Sequence, residues 1–296
     1  MHFDNFFNNI KYYEPMKDHT SFKVGGKADI YFEPGNTEEL IKFISYLKEK
    51  SIPYFLIGNG TNLLVSDEGI RGAVVKLGDK MASIQVEGER IIAECGALLS
   101  VLSKKVADCS LSGLEFGSGI PGSVGGAVTM NAGAYGCEIK DVLERVEVLD
   151  SDLQLKVLDN KQMEFGYRKS IINKDNYIVI KSFFKLKEGN KFDIKKRMDE
   201  LTEKRQLNQP INFPSAGSVF KRPEGYFAAK LIEDAGLKGL ALGDAQVSDK
   251  HSGFIINKGN AAAKDIYNLI KHIQRTVYER YGVNLETEIK LLGKFE

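Results

Sequence analysis

The sequence predicts an α+β protein of more than one domain, a nucleotide-binding half followed by a second α+β lobe. Three observations carry that expectation. Strand-like apolar runs alternate with amphipathic helical stretches along the chain, without a repeat or low-complexity tract. Its 296 residues exceed one average domain. Two glycine-rich loops, GNGTNLL from Gly58 and GSGIPGSVGGAVTMNAGAYG from Gly117, are denser in glycine than ordinary turns require, so something must approach their backbone closely.

The elements follow in order. Phe22–Glu33 reads as extended. Asn36 with Glu39 offers an N-cap and a capping-box partner for a helix that places Leu40, Phe43, Ile44 and Leu47 on one face. Tyr54–Ile57 is a strand entering the Gly58 loop, and Arg90–Glu94 is another. A helix is expected over Leu98–Leu111, then the Gly117 loop and a short helix from about Ser123. Arg145–Leu149, Leu153–Leu158 and Tyr177–Leu186 read as strands, the first two joined by the turn Asp150-Ser151-Asp152. From Phe192 a charged helix runs to Gln209-Pro210, and a domain boundary is drawn near residue 190. The loop NFPSAGSVFKRPEG, a helix at Tyr226–Ala235 and a strand at Gly253–Asn257 follow. Ile266, Leu269, Ile270, Ile273 and Val277 form the inner stripe of a long helix, and LETEIKLL, Leu285–Leu292, is an alternating terminal strand.

Composition excludes several classes of function. With 41 Lys+Arg against 40 Asp+Glu there is no basic excess for nucleic acid. Cys95, Cys109 and Cys137 are too widely spaced for a C-x-x-C metal or redox site, and an odd number argues against a secreted disulfide framework. MHFDNFFNNIKYY is not a signal peptide, and no apolar run approaches the roughly 18 residues of a membrane span. A soluble cytoplasmic protein without membrane insertion is expected, with small molecules as partners, no metal, and an oligomeric state the sequence leaves open.

Gly117, Gly119 and Gly122 spell G-x-G-x-x-G, but their lead-in, SLSGLEF, has no β-branched run, and Pro121 removes an N–H from the loop. A Rossmann unit needs a strand before the first glycine and a helix at the third, so this is not one. In the other loop leucine replaces the third glycine, yet successive Gly and Asn residues can aim consecutive N–H groups at one anion. Three further stretches carry polar groups: FGYRKS with Arg168, PSAGSVFKRP with Ser218, and LETEIK with Glu286 and Glu288 two apart on one strand face. Each has a structural reading as well: a surface charge, a turn serine, the wet face of an edge strand.

Together and in this order, GNGTNLLVSDEG, GSGIPGSVGGAVTMNAGAYG, FGYRKS, PSAGSVFKRP and LETEIKLLG resemble the MurB family of peptidoglycan-synthesis flavoenzymes, in its shorter form. The resemblance implies an FAD-binding module of the PCMH, or vanillyl-alcohol-oxidase, type, split into two segments, residues 1–82 and 83–190. It also implies a C-terminal α+β substrate lobe, 191–296, whose last strand returns to the active site. FAD would be bound non-covalently and NADPH would be the reductant, with UDP-N-acetylglucosamine enolpyruvate as substrate. Arg168 matches the family's catalytic arginine, Ser218 its proton donor and Glu288 its catalytic glutamate. Cofactor contacts are expected from Ile57, Gly58, Asn59, Gly60, Thr61, Asn62 and Leu63. Others are expected from Gly119, Ile120, Pro121, Gly122, Ser123, Gly125, Gly126, Asn131 and Gly133. Thr61 stands where many members have serine. Gln206 stands about where the longer form has a substrate-binding lysine, which leaves Arg205, Lys221 or Arg222 to meet the diphosphate. An oxidase of the same cofactor fold would share the glycine loops but lack PSAGSVFKRP with LETEIK, and a non-catalytic nucleotide-binding module would take no electrons from NADPH.

Overall fold

The capping signal at Asn36 is realised: the Glu39 N–H donates to Asn36 Oδ1 at 2.9 Å and opens a helix. The Glu39 carboxylate reaches one residue further back than a capping box requires, accepting from Gly35 N–H at 2.7 Å. The structure, a computed structural model, describes Phe7 and residues 9–295.

The elements begin with β1 (Lys11–Pro15), β2 (Lys27–Phe32), α1 (Thr37–Glu49), β3 (Tyr54–Ile57), β4 (Leu63–Val65), β5 (Ile70–Lys76), β6 (Ile84–Glu87), β7 (Arg90–Glu94) and α2 (Leu99–Asp108). Next come β8 (Leu111–Ser112), α3 (Val124–Thr129), β9 (Gly133–Ala134), β10 (Cys137–Glu138), β11 (Leu143–Leu149), β12 (Leu155–Asp159), α4 (Ile171–Lys174), β13 (Ile178–Lys185) and β14 (Lys187–Glu188). The chain continues through α5 (Lys191–Asn208), α6 (Ala228–Asp234), β15 (Ala241–Leu242), β16 (Ala245–Val247), β17 (Ile255–Asn257), α7 (Ala263–Tyr281) and β18 (Lys290–Leu292).

One packing unit takes in Phe32–Asn59 and Val75–Arg205, with the described residues before Lys11. Its centre is a sheet ordered β12-β11-β13-β7-β6, antiparallel throughout, which buries Ile91, Ala93, Val146, Val148 and Phe184. The short helix α3, which follows the second glycine loop, packs on β13 and β7. In α1 the predicted stripe is fully buried, with Phe43 against Phe32 at 4.2 Å between ring centroids. The turn before β12 is held by Asp150 Oδ1, which accepts from the N–H groups of Asp152 and Gln154. Leu153 sits in that turn at φ +61°, so β12 starts two residues later than its apolar pattern suggests.

The second unit is Lys11–Tyr31, Gly60–Val74 and Gln206–Glu296. Here β1, β2 and β5 are neighbours in that order, and β15-β16-β17 forms an antiparallel sheet. The stripe of α7 enters a cluster with Phe22, Val24, Leu64, Val219, Phe220, Ile232, Val247 and Ile255. Each such side chain contributes about 1.5–3 kcal/mol on burial, so these residues fix the unit.

This division departs from the three consecutive domains that the sequence suggests. The boundary near residue 190 moves into α5, because Ile194 and Met198 pack on Ala107 of the first unit. Residues 60–74 join the C-terminal segment because β4 pairs in parallel with β18. The expected eight-residue terminal strand is regular only over Lys290–Leu292, where that ladder exists.

Candidate functional site

In the first unit, Gly166 and Lys169 exchange both backbone hydrogen bonds, at 3.0 and 3.2 Å, which closes a tight turn with Tyr167 and Arg168 at its corner. Arg168 occupies the left-handed region at φ +53°, where a side chain costs about 1–2 kcal/mol. Its Nη2 donates to the Gly133 carbonyl at 3.2 Å, and its guanidinium lies 5.1 Å from the Tyr167 ring centroid. The turn is pinned from beneath by Asn131, whose side chain is wholly buried. Asn131 Nδ2 donates to the Gly166 carbonyl at 3.1 Å and to Glu138 Oε2 at 3.0 Å, while its Oδ1 accepts from Lys140 N–H at 3.0 Å. Partial burial pushes the Glu138 carboxyl up, but hydrogen bonds from Lys140 and Asn131 and the charges of Lys140 and Arg168 outweigh it and hold the group below its usual range. The Asn131 side chain thus holds the arginine turn.

The glycine loops show what comes close to their backbone. A side chain at Gly58 would meet Ser123 Oγ, and one at Gly125 would put its Cβ 2.9 Å from that of Cys95. Asn59 Nδ2 donates to the Pro121 carbonyl at 2.6 Å, tying the two loops together. Ser123 caps α3 by accepting from Gly126 N–H at 3.4 Å. Much of the glycine density therefore serves the protein's own packing. The N–H groups of Asn59, Gly119, Gly122 and Ser123 meet no protein acceptor among the described residues. Arg205 lies against this loop: a Cβ at Gly119 would be 3.0 Å from its Cδ. Burial lowers the Arg205 pKa, against the opposing influence of Tyr135, whose hydroxyl donates to the Leu201 carbonyl at 3.4 Å. Backbone donors beside a guanidinium suit a diphosphate, so the residues present fit the pyrophosphate of FAD.

In the second unit the loop continues as Gly60, Thr61 and Asn62. Gly60 has φ +66°, and any side chain there would collide with the His19 carbonyl. Ser218 and Glu288 lie on adjacent segments. The Glu288 N–H donates to the Val219 carbonyl at 2.7 Å, Phe220 bridges Thr287, and Ser218 bridges Phe254 on its other side. Asn62 Nδ2 donates to the Glu288 carbonyl at 3.1 Å. Glu286 and Glu288 differ in setting: Glu286 is exposed and ion-paired with Lys221, whereas Glu288 is half-buried. Arg222 lies over the Phe227 ring, 4.8 Å from its centroid. The three expected substrate contacts thus divide, Arg205 in the first unit and Lys221 and Arg222 in the second.

Residues 28–158 match the family model described as FAD binding domain, and residues 209–292 match that described as UDP-N-acetylenolpyruvoylglucosamine reductase, C-terminal domain. The reductase of this name from Caldanaerobacter subterraneus subsp. tengcongensis is 55% identical over 281 residues, 95% of this chain and 93% of the relative. That from Clostridioides difficile is 53% identical over 286 residues, 97% of this chain and 94% of the relative. The chain belongs to the UDP-N-acetylenolpyruvoylglucosamine reductase family. The crystal structure of the MurB reductase from Thermus caldophilus matches with a TM-score of 0.82 at 39% identity, over 94% of this chain and 97% of that one. The fold is the α+β fold of that reductase family, with its FAD-binding domain. Among the described residues of this reductase-family chain, no helix is long and apolar enough to cross a membrane.

One residue, Asp67, and one link, from Asn62 to Glu288, escaped the sequence reading. Asp67 accepts from the N–H groups of Ala263 and Lys264 at 2.9 and 2.8 Å, capping α7 from about 200 residues away. Asn62 holds the backbone of Glu288, and no local signal announces either link.

Proposed function

We infer that the chain reduces the enolpyruvyl group of UDP-N-acetylglucosamine enolpyruvate, with NADPH as the reductant, to give UDP-N-acetylmuramate for peptidoglycan. The observation that carries this reading is the succession of an FAD-binding domain and the reductase C-terminal domain in one chain, along which reductases of that name align nearly end to end. When bound, FAD supplies the hydride relay from nicotinamide to the terminal vinyl carbon. The N–H groups of Asn59, Gly119, Gly122 and Ser123, with the Arg205 guanidinium, are the donors that would hold its pyrophosphate. This transfers Arg205 from the substrate role the sequence suggested to the cofactor loop. The backbone of Gly60, Thr61 and Asn62 continues the same loop, while the Asn62 side chain is engaged with the Glu288 carbonyl.

Hydride arrival leaves negative charge on the substrate carbon that bears the carboxylate. Arg168 would hold that carboxylate through two parallel N–H bonds, a geometry a lysine cannot reproduce. Ser218 would give the adjacent carbon its proton, provided its hydroxyl comes within about 3 Å. Glu288, in its half-buried setting, would act in the protonated form and hydrogen-bond to the developing charge. Lys221, already paired with Glu286, and Arg222 would meet the sugar nucleotide's phosphates. We place the protein in the cytoplasm, a reading supported by its three free cysteines.

Turnover in D2O tests the inference. With NADPH and the enolpyruvyl sugar, the product should gain two hydrogens, the one on the carbon bearing the carboxylate being deuterium. Unchanged sugar nucleotide in the presence of FAD, or a product without that deuterium, would overturn it.

A further inference from the structure

Glu288 is held at both of its backbone polar atoms, and by different partners. Its N–H donates to the Val219 carbonyl at 2.7 Å, beside Ser218. Its carbonyl accepts from the side-chain Nδ2 of Asn62 at 3.1 Å, and the Asn62 carbonyl accepts from Lys290 N–H at 2.9 Å. Asn62 therefore grips the segment on either side of Ile289. The parallel ladder begins only where Lys290 faces Leu63, so at Glu288 the asparagine amide makes a bond that the ladder does not provide. A peptide gripped at both ends cannot rotate, and the Cα–Cβ direction of Glu288 is fixed with it.

We propose that Asn62 is a positioning residue for Glu288, aiming its carboxyl and tying the geometry of the glycine loop to the protonation half of the reaction. This rests on the reading of Glu288 as the carboxyl that hydrogen-bonds to the charge developing on the substrate. Asparagine suits the task because it donates to one carbonyl from its side chain and accepts with its own. Aspartate has the same shape but presents oxygen to the Glu288 carbonyl, and alanine presents nothing.

The test uses the FAD-loaded full chain carrying Asn62→Asp, Asn62→Ala, Glu288→Gln, or Asn62→Asp with Glu288→Gln. Flavin content, bleaching by NADPH and reoxidation by the enolpyruvyl sugar are measured separately, without oxygen. Both Asn62 variants should keep their flavin and bleach normally, yet reoxidise about 10–100-fold more slowly, the scale expected when a reacting group is misplaced by about 1 Å. The double variant should be no slower than Glu288→Gln alone, since no carboxyl remains to be aimed. Amide hydrogen exchange at Glu288 and Lys290 should accelerate in the Asn62 variants, independently of turnover. Normal reoxidation in both Asn62 variants, loss of flavin or of folding in both, or losses that multiply with Glu288→Gln would overturn the proposal. Normal reoxidation of Glu288→Gln would instead remove the reading of Glu288 as a carboxyl needed for the reaction.

Discussion

Arg168 shows how a single residue's conformation is maintained against its preference. A left-handed φ of +53° favours glycine, yet the Gly166–Lys169 turn holds an arginine there, anchored by the buried Asn131 amide and the Gly133 carbonyl. Strain retained at a side chain with a two-pronged donor is consistent with a task that needs the fork in a fixed direction. Arg168→Lys keeps the charge and loses the fork, so turnover should fall by about 10²–10³ while bleaching by NADPH stays near normal. Near-normal turnover in that variant would reduce Arg168 to a turn residue. The candidate arginine, serine and glutamate were legible as motifs, each beside a glycine or in an alternating strand. Their surroundings were not: the Asn131 and Asn62 bonds join residues 35 and 226 positions apart, beyond any periodic signal.

Among the elements, helices were the more readable. The inner stripe of α7 repeats at helical spacing and is buried as that spacing requires. Its start was not readable, because Ala262 offers no side-chain cap and the carboxylate of Asp67 supplies one from the loop after β4. Asp67→Ala should cost about 1 kcal/mol and lower the melting temperature by about 2–4 °C, with flavin content retained. An unchanged melting curve would mean that water satisfies those amides equally well. The terminal strand was over-extended for a related reason. Alternation in LETEIKLL is genuine, but a strand lasts only as long as its partner, and β4 offers three residues.

At the scale of the molecule, the sequence carried the mixed α+β class and the order of most elements, while the division into units was hidden. Each unit is assembled from segments that are distant in the chain, because parallel pairing of β4 with β18 and the packing of α5 on Ala107 are non-local choices. Such choices leave no trace in a window of about 15 residues. The proposed function requires one chain to carry out two half-reactions, reduction by NADPH and then reoxidation by an enolpyruvyl sugar nucleotide. An oxygen-free visible spectrum of the flavin-loaded protein tests this most directly. One equivalent of NADPH should bleach the flavin, UDP-N-acetylglucosamine should leave it bleached, and UDP-N-acetylglucosamine enolpyruvate should restore the yellow band in full. A flavin that NADPH does not bleach, or that the enolpyruvyl sugar does not restore, would contradict the proposed function.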